Sequence, residues 1–370
     1  MNAETLPIST CAWASVAQHI PDGFELSGDG LYQTTKNDDQ RLISDPVWIS
    51  GYTRSVEGTD AGVVISWIDT HTQRLRAIPT PKRWLFETGN GLIQLLVDRG
   101  LHLIPGSEKT LLRYLGSFHL PPEFMSIACN RVGWANDAEG NVVFVLPKQT
   151  LKVGETCSAP VVFQSEERSP AVEAIRTAGS LHSWRQNVAQ PCMDHPLLAF
   201  GIFAGLAGPL VPLVPLDSGG FHIYGASSKG KTTLLQAAAT VWGNGAESPV
   251  LEDGYIARWN STANAFEATA AAYNNLLLPL DELGSCDAKN VGKVIYDLFS
   301  GRGKARLTKD SSLRAHRTWQ LLALSTGEIS LRDKIQEDLG RKAYAGQLAR
   351  LIDVRIPDEG VVDALSVRPR

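Results

Sequence analysis

The segment FHIYGASSKGKTTLLQAAATVWG, residues 221–243, constrains the fold of this chain more than any other. A short β-like run comes first, a loop of small residues follows, and an alanine-rich helix former ends the segment. Residues 225–232 match G-x-x-x-x-G-K-[ST] at every position. In this order, backbone N–H groups can surround a phosphate and the helix N-terminus adds partial positive charge. The alternative is an ordinary strand, turn and helix with Lys231 on the surface. The complete pattern favours a phosphate-binding loop, and we call residues 225–232 the P-loop segment.

The P-loop segment is predicted to bind ATP together with Mg²⁺. The predicted nucleotide-binding residues are Gly225, Ala226, Ser227, Ser228, Lys229, Gly230, Lys231, Thr232 and Thr233. Lys231 is expected to reach the β- and γ-phosphates, and Thr232 is expected to be a ligand of Mg²⁺. The side chain of Lys229 is expected to face solvent.

A second motif, NNLLLPLDELG at residues 274–284, lies about fifty residues after the loop and ends in two adjacent acids. An apolar run predicts a buried strand, although Pro279 is awkward in a central strand. Asp281 at its end is the predicted metal carboxylate, which makes Thr232 and Asp281 the candidate Mg²⁺ ligands. Glu282 is the candidate general base that polarises the attacking water. The alternative is a strand followed by two solvated acids.

A third apolar run, WQLLALSTGE at residues 319–328, ends in small polar residues. In a sheet of this kind, a polar residue at the end of a neighbouring strand can sense the γ-phosphate. Ser325 and Thr326 both fit this description, and Thr326 is taken as the catalytic candidate. A turn is the alternative, because Ser-Thr-Gly is also common in turns.

A basic segment at residues 301–320, GRGKARLTKDSSLRAHRTWQ, contains six lysines and arginines and one acid, in a chain whose net charge is −4. Its alternation around DSS predicts a β-hairpin with a polar turn. We call it the hairpin segment. Basic side chains neutralise phosphates in nucleic acids, so the hairpin segment is a candidate DNA contact. The candidate DNA-contacting residues are Lys304, Arg306, Lys309, Arg314 and Arg317. A solvated surface hairpin is the alternative.

The length of 370 residues indicates about two domains, and the net charge excludes a globally basic nucleic-acid binder. Short strand-like runs dominate residues 25–165, whereas strands and helices alternate from residue 219 onward, as in a sheet covered by helices. The predicted organisation is a β-rich α+β N-terminal domain at 1–165, a helical linker region at 166–218 and an α/β P-loop NTPase domain of three layers at 219–370.

Residues 197–216 carry no charge and are numerous enough to cross a bilayer. Pro209, Pro212 and Pro215 interrupt the second half, so the sequence predicts a buried helix of about ten residues and a rigid connection rather than a membrane span. The five cysteines form no CxxC pair, which argues against a zinc site and a disulfide framework and favours the reducing cytoplasm.

Four blocks after the P-loop segment carry a family resemblance: WNSTANAFE at 259–267, LDELG at 280–284, LSTGE at 324–328 and AGQLARLIDV at 345–354. In this order they resemble the domain-of-unknown-function family numbered 927, which is found in phages, plasmids and other mobile elements. The resemblance covers most of the chain, and the last block is the most specific. It implies an AAA+-like, ring-forming ATPase related to mini-chromosome-maintenance helicases. Lys231, Thr232, Asp281, Glu282 and Thr326 are the positions onto which the family's ATPase pattern maps.

The resemblance also implies partners and further residues. It implies DNA, held single-stranded in the central channel of a homo-oligomeric ring such as a hexamer, and an accompanying primase. A ring needs an arginine that reaches a neighbour's γ-phosphate; Arg341, Arg350 and Arg355 are candidates, and Arg350 is preferred. Members of the family continue well beyond the last block, so we expect this chain to be a fragment or a truncated form.

Three functions remain open from the sequence. The first is an ATP-driven DNA translocase or helicase acting in replication of a phage or mobile element. The second is a P-loop ATPase that acts as a switch or defence module without unwinding, and the third is nucleotide binding without hydrolysis. Glu282 beside Asp281 favours hydrolysis, and the hairpin segment favours DNA. A small-molecule kinase fits the β-rich N-terminal part and the hairpin segment less well.

Overall fold

A computed structural model of the chain describes residues 12–35, 39–87, 91–152, 160–165, 170–246, 254–286, 288–304, 317–337 and 343–362. The chain divides into two compact units. The first comprises Met1–Asn130, Ala135–Val145 and Gln149–Glu166, and the second comprises Arg131–Trp134, Leu146–Lys148 and Glu167–Arg370. The protein is a mixed α/β structure with several sheets.

Short strands, many with alternating burial, dominate the first half of the chain. They are β1 (Phe24–Leu26), β2 (Leu31–Thr34), β3 (Gln40–Ser44), β4 (Val47–Arg54), β5 (Gly62–Asp69), β6 (Arg74–Pro81), β7 (Met125–Cys129), β8 (Gly133–Asn136), β9 (Val142–Leu146), β10 (Gln149–Lys152) and β11 (Val161–Phe163). The sheets have the orders β1-β2-β3, β11-β7-β4-β5-β6 and β10-β9-β8. Strands β4 and β5 carry Trp48 and Trp67, which are buried in the main core of the first unit.

The described residues of the first unit include two α-helices, α1 (Leu92–Asp98) and α2 (Glu108–Gly116). Leu92 and Leu96 are buried one turn apart, whereas Val97 is 45% exposed. Val97 lies about 100° further around the helix than Leu96, so it falls off the buried stripe. Ser107 precedes α2, but its side chain makes no capping hydrogen bond.

A five-stranded parallel sheet forms the centre of the second unit. Its strands are β12 (Gly219–Tyr224), β13 (Ala257–Arg258), β14 (Leu277–Asp281), β15 (Leu322–Gly327) and β16 (Leu351–Arg355). The spatial order is β13-β14-β15-β12-β16, and every pair is parallel. Because all five strands run in one direction, their carboxyl ends lie at a single edge of the sheet, which we call the carboxyl edge.

The second unit also contains the remaining helices. They are α3 (Pro170–Glu173), α4 (Leu181–Trp184), α5 (Gln190–Met193), α6 (Pro196–Ala207), α7 (Lys231–Ala239), α8 (Ala263–Ala272), α9 (Ala288–Phe299), α10 (Leu331–Gln336) and α11 (Ala345–Arg350). Buried leucines and alanines of α6 and α7 pack with Ile223, Leu277 and Leu324 of the sheet. This core anchors the helix that follows the P-loop segment.

Pro279 lies inside β14, a strand with a neighbour on each side. On one side β14 pairs with β15 along Leu277–Leu280, whereas the two-residue strand β13 pairs only with Leu280 and Asp281. The side of β14 that faces β13 is therefore open at Pro279, and a residue without an N–H is tolerated there.

The apolar segment that the sequence predicted as a short helix and a rigid connection consists of α6 and a 3₁₀ turn, Gly208–Leu213. Leu198 and Ile202 are buried, but Phe203 and Leu206 are exposed, so α6 is less buried than expected. Pro196–Leu213 is the one helical stretch among the described residues that is long and apolar enough to cross a membrane. Length and composition alone are weak grounds for such a role, since core helices pass the same test.

Gly208 offers a test of this packing. A Cβ at Gly208 would lie 2.5 Å from the backbone carbon of Leu276 and 2.7 Å from the nitrogen of Leu277, at the start of β14. We expect Gly208→Ala to destabilise the second unit by about 1–3 kcal/mol, because backbone atoms must shift. Gly28→Ala is the control, since no atom lies within 4 Å of its Cβ position. Thermal unfolding by circular dichroism measures both; equal melting temperatures would contradict the packing.

Candidate nucleotide-binding site

The P-loop segment joins the carboxyl end of β12 to the first residue of α7. Gly230, directly before the helix, has a φ of +86°, in the left-handed region that glycine adopts without strain. Ser228 has a φ of +60°, which is unfavourable for a residue with a side chain. A Cβ at Gly225 would lie 2.5 Å from Cγ1 of Ile356. The backbone therefore requires glycine at both ends of the loop, because Gly230 has a positive φ and a side chain at Gly225 would clash with Ile356.

Lys231 begins α7, and its side chain folds back over the loop. Its Nζ donates hydrogen bonds to the carbonyl oxygens of Gly225 at 2.8 Å and Ala226 at 2.7 Å. Only 8% of the residue is exposed. The ammonium group therefore lies inside the curve of the P-loop segment, which differs from the alternative of a solvent-facing surface lysine.

Lys229 does not simply face solvent, contrary to the expectation from the sequence. Its Nζ donates to the carbonyl oxygen of Asp358 at 2.6 Å, and its own carbonyl accepts from the N–H of Val361 at 2.8 Å. The turn after β16 therefore packs against the loop, and Cβ of Val361 would lie 3.2 Å from a Cβ at Gly230. The sequence carries no local signal for this contact, because the two segments are more than a hundred residues apart.

The other loop positions surround the start of α7. Thr232 and Thr233 are the second and third residues of the helix, and Thr232 is half-buried while Thr233 is exposed. Ala226, Ser227 and Ser228 are exposed. All of these residues lie at the carboxyl edge.

Asp281 and Thr326 meet at the same edge. Leu280 pairs with Ser325, so the next residues of β14 and β15 are neighbours. The Thr326 hydroxyl donates to Oδ1 of Asp281 at 2.5 Å. On its other side, β15 pairs with β12 up to Tyr224, and the N–H of Gly225 donates to Gly327. The acid, the polar strand end and the P-loop segment are thus adjacent.

Glu282 follows Asp281 with a φ of +57°, an uncommon value for a residue other than glycine. Its carboxylate is exposed, and Oε1 accepts from the N–H of Gly284 at 3.1 Å. The Ser285 hydroxyl donates to the Glu282 carbonyl at 2.7 Å. A tight turn therefore presents Glu282 at the carboxyl edge, and it holds the side chain against its own backbone.

The structure distinguishes Ser325 from Thr326. Ser325 is buried, and its hydroxyl lies 2.8 Å from Nδ1 of His222 and 2.9 Å from Nε1 of Trp259. Nε2 of His222 lies 2.9 Å from the carbonyl of Ile329, which can only accept. A neutral imidazole with its hydrogen on Nε2 therefore satisfies every group, with Ser325 donating to Nδ1 and accepting from Trp259. The motifs did not reveal this network, because its members come from separate segments.

Burial lowers the pKa of His222, and the charge of Lys231 lowers this pKa further. The hydrogen bond to Ile329 and the nearby carboxylate of Asp353 raise the pKa, but burial outweighs them. The ring therefore remains neutral on β12, the strand that leads into the P-loop segment. Protonation would place a second hydrogen on Nδ1, where it would compete with the hydrogen that Ser325 donates.

Of the candidate arginines, Arg350 lies away from this site, whereas Arg355 ends β16 beside Tyr224 at the carboxyl edge. The Arg350 guanidinium donates to the carbonyl of Gly346 at 2.8 Å and lies 4.7 Å from the ring centre of Tyr296. Leu351, the next residue, pairs with Gly220 at the start of β12, so Arg350 is at the opposite edge of the sheet from Lys231. Arg355 pairs with Asp358 at 3.6 Å. Arg341 lies outside the described residues.

An isolated antiparallel bridge joins the two described ends of the hairpin segment, and most of the predicted hairpin strands with their DSS turn lie outside the described residues. Arg302 bridges to Thr318, and the N–H of Gly303 donates to Arg317 at 2.8 Å. Lys304 pairs with Asp297 of α9 at 3.6 Å. Arg306, Lys309 and Arg314 lie outside the described residues. The base of the hairpin segment precedes the first residue of β15, so it lies at the edge opposite the P-loop segment.

These features define an α/β unit that carries a phosphate-binding-loop sequence, an acidic pair and a polar strand end at one edge of a parallel sheet. Residues 24–318 match the family model described as "Domain of unknown function (DUF927)", and the chain belongs to this family. The match covers most of the chain. No curated protein matches the chain at a significant level.

Solved structures with a related fold include one described as SCCmec type IV Cch, an active helicase. It matches 94% of this chain and 60% of that one, with 17% identity and a TM-score of 0.65, so this chain spans about three fifths of the length of that protein. At this identity the likeness establishes the fold alone. NtrX from Brucella abortus in complex with ATP matches 55% of this chain and 46% of that one, with 13% identity and a TM-score of 0.27, which is too low to carry an argument.

His222 offers a test of the buried network through pH. The pKa of His222 is lower in the folded than in the unfolded protein, so the stability from the neutral ring is present above the unfolded pKa and is lost as pH falls. We expect acidification from about pH 7.5 to about 5.5 to lower the melting temperature of the wild type more than that of His222→Gln. His182→Gln, at an exposed histidine of the same unit, should retain the wild-type dependence. Parallel pH profiles for His222→Gln and wild type would contradict the assignment.

Proposed function

We propose that this protein is an ATPase that couples hydrolysis to movement along DNA, as a helicase or translocase in the replication of a phage or other mobile element. The observation that carries the proposal is the convergence of three groups at one sheet edge. These groups are the Lys231 ammonium inside the P-loop segment, the Asp281 carboxylate, and the Thr326 hydroxyl bonded to it. The relation of the fold to a helicase structure supports the same class.

ATP binding is proposed at the P-loop segment. The Lys231 ammonium bonds two loop carbonyls, and phosphate oxygens would be stronger acceptors for the same group. The N-terminus of α7 favours the same anion. The turn at Asp358 and Val361, which contacts Lys229, keeps the loop in its bent form.

Mg²⁺ is proposed to accompany ATP. Among the described residues, no cluster of three or more His, Cys, Asp or Glu side chains could hold a metal by itself. Mg²⁺ bound to a nucleotide needs only one or two protein oxygens besides phosphates and waters. The Thr232 hydroxyl and the Asp281 carboxylate are oxygen donors at the carboxyl edge, so the residues fit this ion. Its chemistry would be the neutralisation of phosphate charge.

Glu282 is proposed as the general base. The carboxylate is exposed at the carboxyl edge, where a water can come within the hydrogen-bond reach that a general base needs. In this conformation its Oε1 is bound to the N–H of Gly284. Thr326 is proposed to sense the γ-phosphate: its single hydroxyl hydrogen, which Asp281 accepts in this conformation, would turn to a phosphate oxygen when the terminal phosphate is present.

An AAA+-like ring of identical subunits, such as a hexamer related to mini-chromosome-maintenance helicases, is proposed as the active form. Arg350 lies at the edge of the sheet opposite its own P-loop segment, so it is suited to reach a neighbour's nucleotide rather than its own. Its stacking on Tyr296 would orient the guanidinium. In trans, an arginine stabilises charge that develops during phosphoryl transfer.

DNA is proposed to bind at the hairpin segment, single-stranded within the channel of the ring. The described base supplies Lys304 and Arg317, and Arg306, Lys309 and Arg314 add charge along the sequence. A primase partner and a cytoplasmic location complete the proposal. A switch or defence ATPase without unwinding is the second candidate, favoured by the fact that Lys304 already pairs with Asp297. The rate of ATP hydrolysis with and without single-stranded DNA separates the two, since only the first requires stimulation.

The nucleotide site is tested by two variants with different expected effects. Lys231→Ala should abolish both ATP binding and turnover, because it removes the cation of the P-loop segment. Glu282→Gln should retain binding but lower kcat by about a hundredfold or more, since it removes the base. Equilibrium binding of a fluorescent ATP analogue and phosphate release measure the two effects. Turnover retained by Lys231→Ala would refute the loop assignment, and unchanged kcat in Glu282→Gln would refute the base.

The proposed DNA interface is tested by the salt dependence of binding. Replacing Lys304 and Arg317 with Ala should weaken single-stranded DNA binding. It should also flatten the slope of log K against log salt by about one unit or less for each phosphate that the variant no longer neutralises. Lys293→Ala, at an exposed lysine of α9 outside the hairpin segment, is the matched control. A slope identical to wild type in the double variant would remove the hairpin base from the DNA interface.

A further inference from the structure

Lys334 is a buried lysine that none of the sequence motifs includes. It lies on α10, and only 7% of the residue is exposed. Its Nζ donates to the carbonyl oxygen of Gly284 at 2.9 Å and to Oε2 of Glu337 at 2.9 Å. A buried ammonium is costly unless it is paired and hydrogen-bonded. One of its two partners is therefore in the turn that follows Glu282.

The same glycine also binds the Glu282 carboxylate. The N–H of Gly284 donates to Oε1 of Glu282, while its carbonyl accepts from Lys334. Glu282 has a φ of +57°, and such a strained conformation persists only where surrounding contacts impose it. Ser285 supplies such a contact from within the turn, and Lys334 supplies another from α10.

The position of Lys334 is fixed by the strand that carries Thr326. Helix α10 begins at Leu331, shortly after β15 ends at Gly327. Ser330 caps the helix by accepting from the N–H of Asp333 at 3.0 Å, and the N–H of Leu331 donates to Asp353 at 2.9 Å. A continuous chain of contacts therefore runs from the end of β15 through α10 to the Glu282 turn.

We propose that Lys334 is a positioning residue that holds the turn carrying Glu282 in a fixed relation to Thr326, and that hydrolysis rather than nucleotide binding depends on it. This inference rests on the proposed function, because it takes Glu282 as the general base. A purely structural role, in which Lys334 stabilises α10 through Glu337, is the competing explanation.

The first test uses Lys334→Met, which keeps an unbranched apolar side chain but removes the ammonium. We expect kcat for ATP to fall by about tenfold to a hundredfold, as for a displaced catalytic group, with KM and the Kd for an ATP analogue close to wild type. Lys334→Arg, which retains a donor for Gly284, should recover part of kcat. Glu337→Gln removes the ion pair but leaves the Gly284 bond, so its kcat should stay near wild type.

The second test combines Lys334→Met with Glu282→Gln. If Lys334 acts through Glu282, the double variant is no slower than Glu282→Gln alone, because effects on one functional unit are not additive. Losses that multiply would overturn the proposal. So would an unchanged kcat in Lys334→Met, an equal loss in Glu337→Gln, or a loss of nucleotide binding and thermal stability in Lys334→Met.

Failure of the proposed function gives a different result. A wild-type protein that does not hydrolyse ATP, or that hydrolyses it at the same rate after Glu282→Gln, refutes the general base and with it the premise of this inference. An active wild type that needs Glu282 but is indifferent to Lys334→Met refutes only the positioning role.

Discussion

The hydrogen bond between Thr326 and Asp281 is the contact on which the arrangement of the site depends. It joins the ends of two neighbouring parallel strands, and the second of these strands pairs directly with β12, which leads into the P-loop segment. Parallel pairing alone brings the strand ends to one edge. The side-chain bond adds a direct link between the acid and the polar strand end.

The two edges of this sheet carry different chemistry. The P-loop segment and the acidic pair lie at the carboxyl edge, whereas Arg350 and the base of the hairpin segment lie at the other. Helix α9 extends over twelve residues, about 18 Å, from the Glu282 turn to the start of the hairpin segment. Its Tyr296 stacks on Arg350, and its Leu298 carbonyl accepts from the indole of Trp319. In the proposed ATPase, this helix is one physical connection between the nucleotide site and both Arg350 and the base of the hairpin segment.

The sequence predicted the elements whose signals are local. The strand before the P-loop segment, the helix at Lys231 and the strand that ends at Asp281 all follow from short motifs and apolar runs. The sequence did not reveal the contact of Lys229 with Asp358 or the roles of His222 and Lys334, because each depends on a partner far along the chain. Hydrogen bonds between distant segments leave no periodic pattern, so only the folded chain reveals them.

Strained backbone conformations occur within the candidate nucleotide-binding site. Five described non-glycine residues have a positive φ, and two of them, Ser228 and Glu282, belong to the P-loop segment and the acidic pair. A strained residue costs free energy that the surrounding structure must offset. At Glu282 the bonds from Gly284 and Ser285 and the clamp from Lys334 supply this offset. A relaxed turn would be more stable by itself. The strained backbone at Glu282 is therefore better explained by the position that it gives the Glu282 carboxylate than by the stability of the turn.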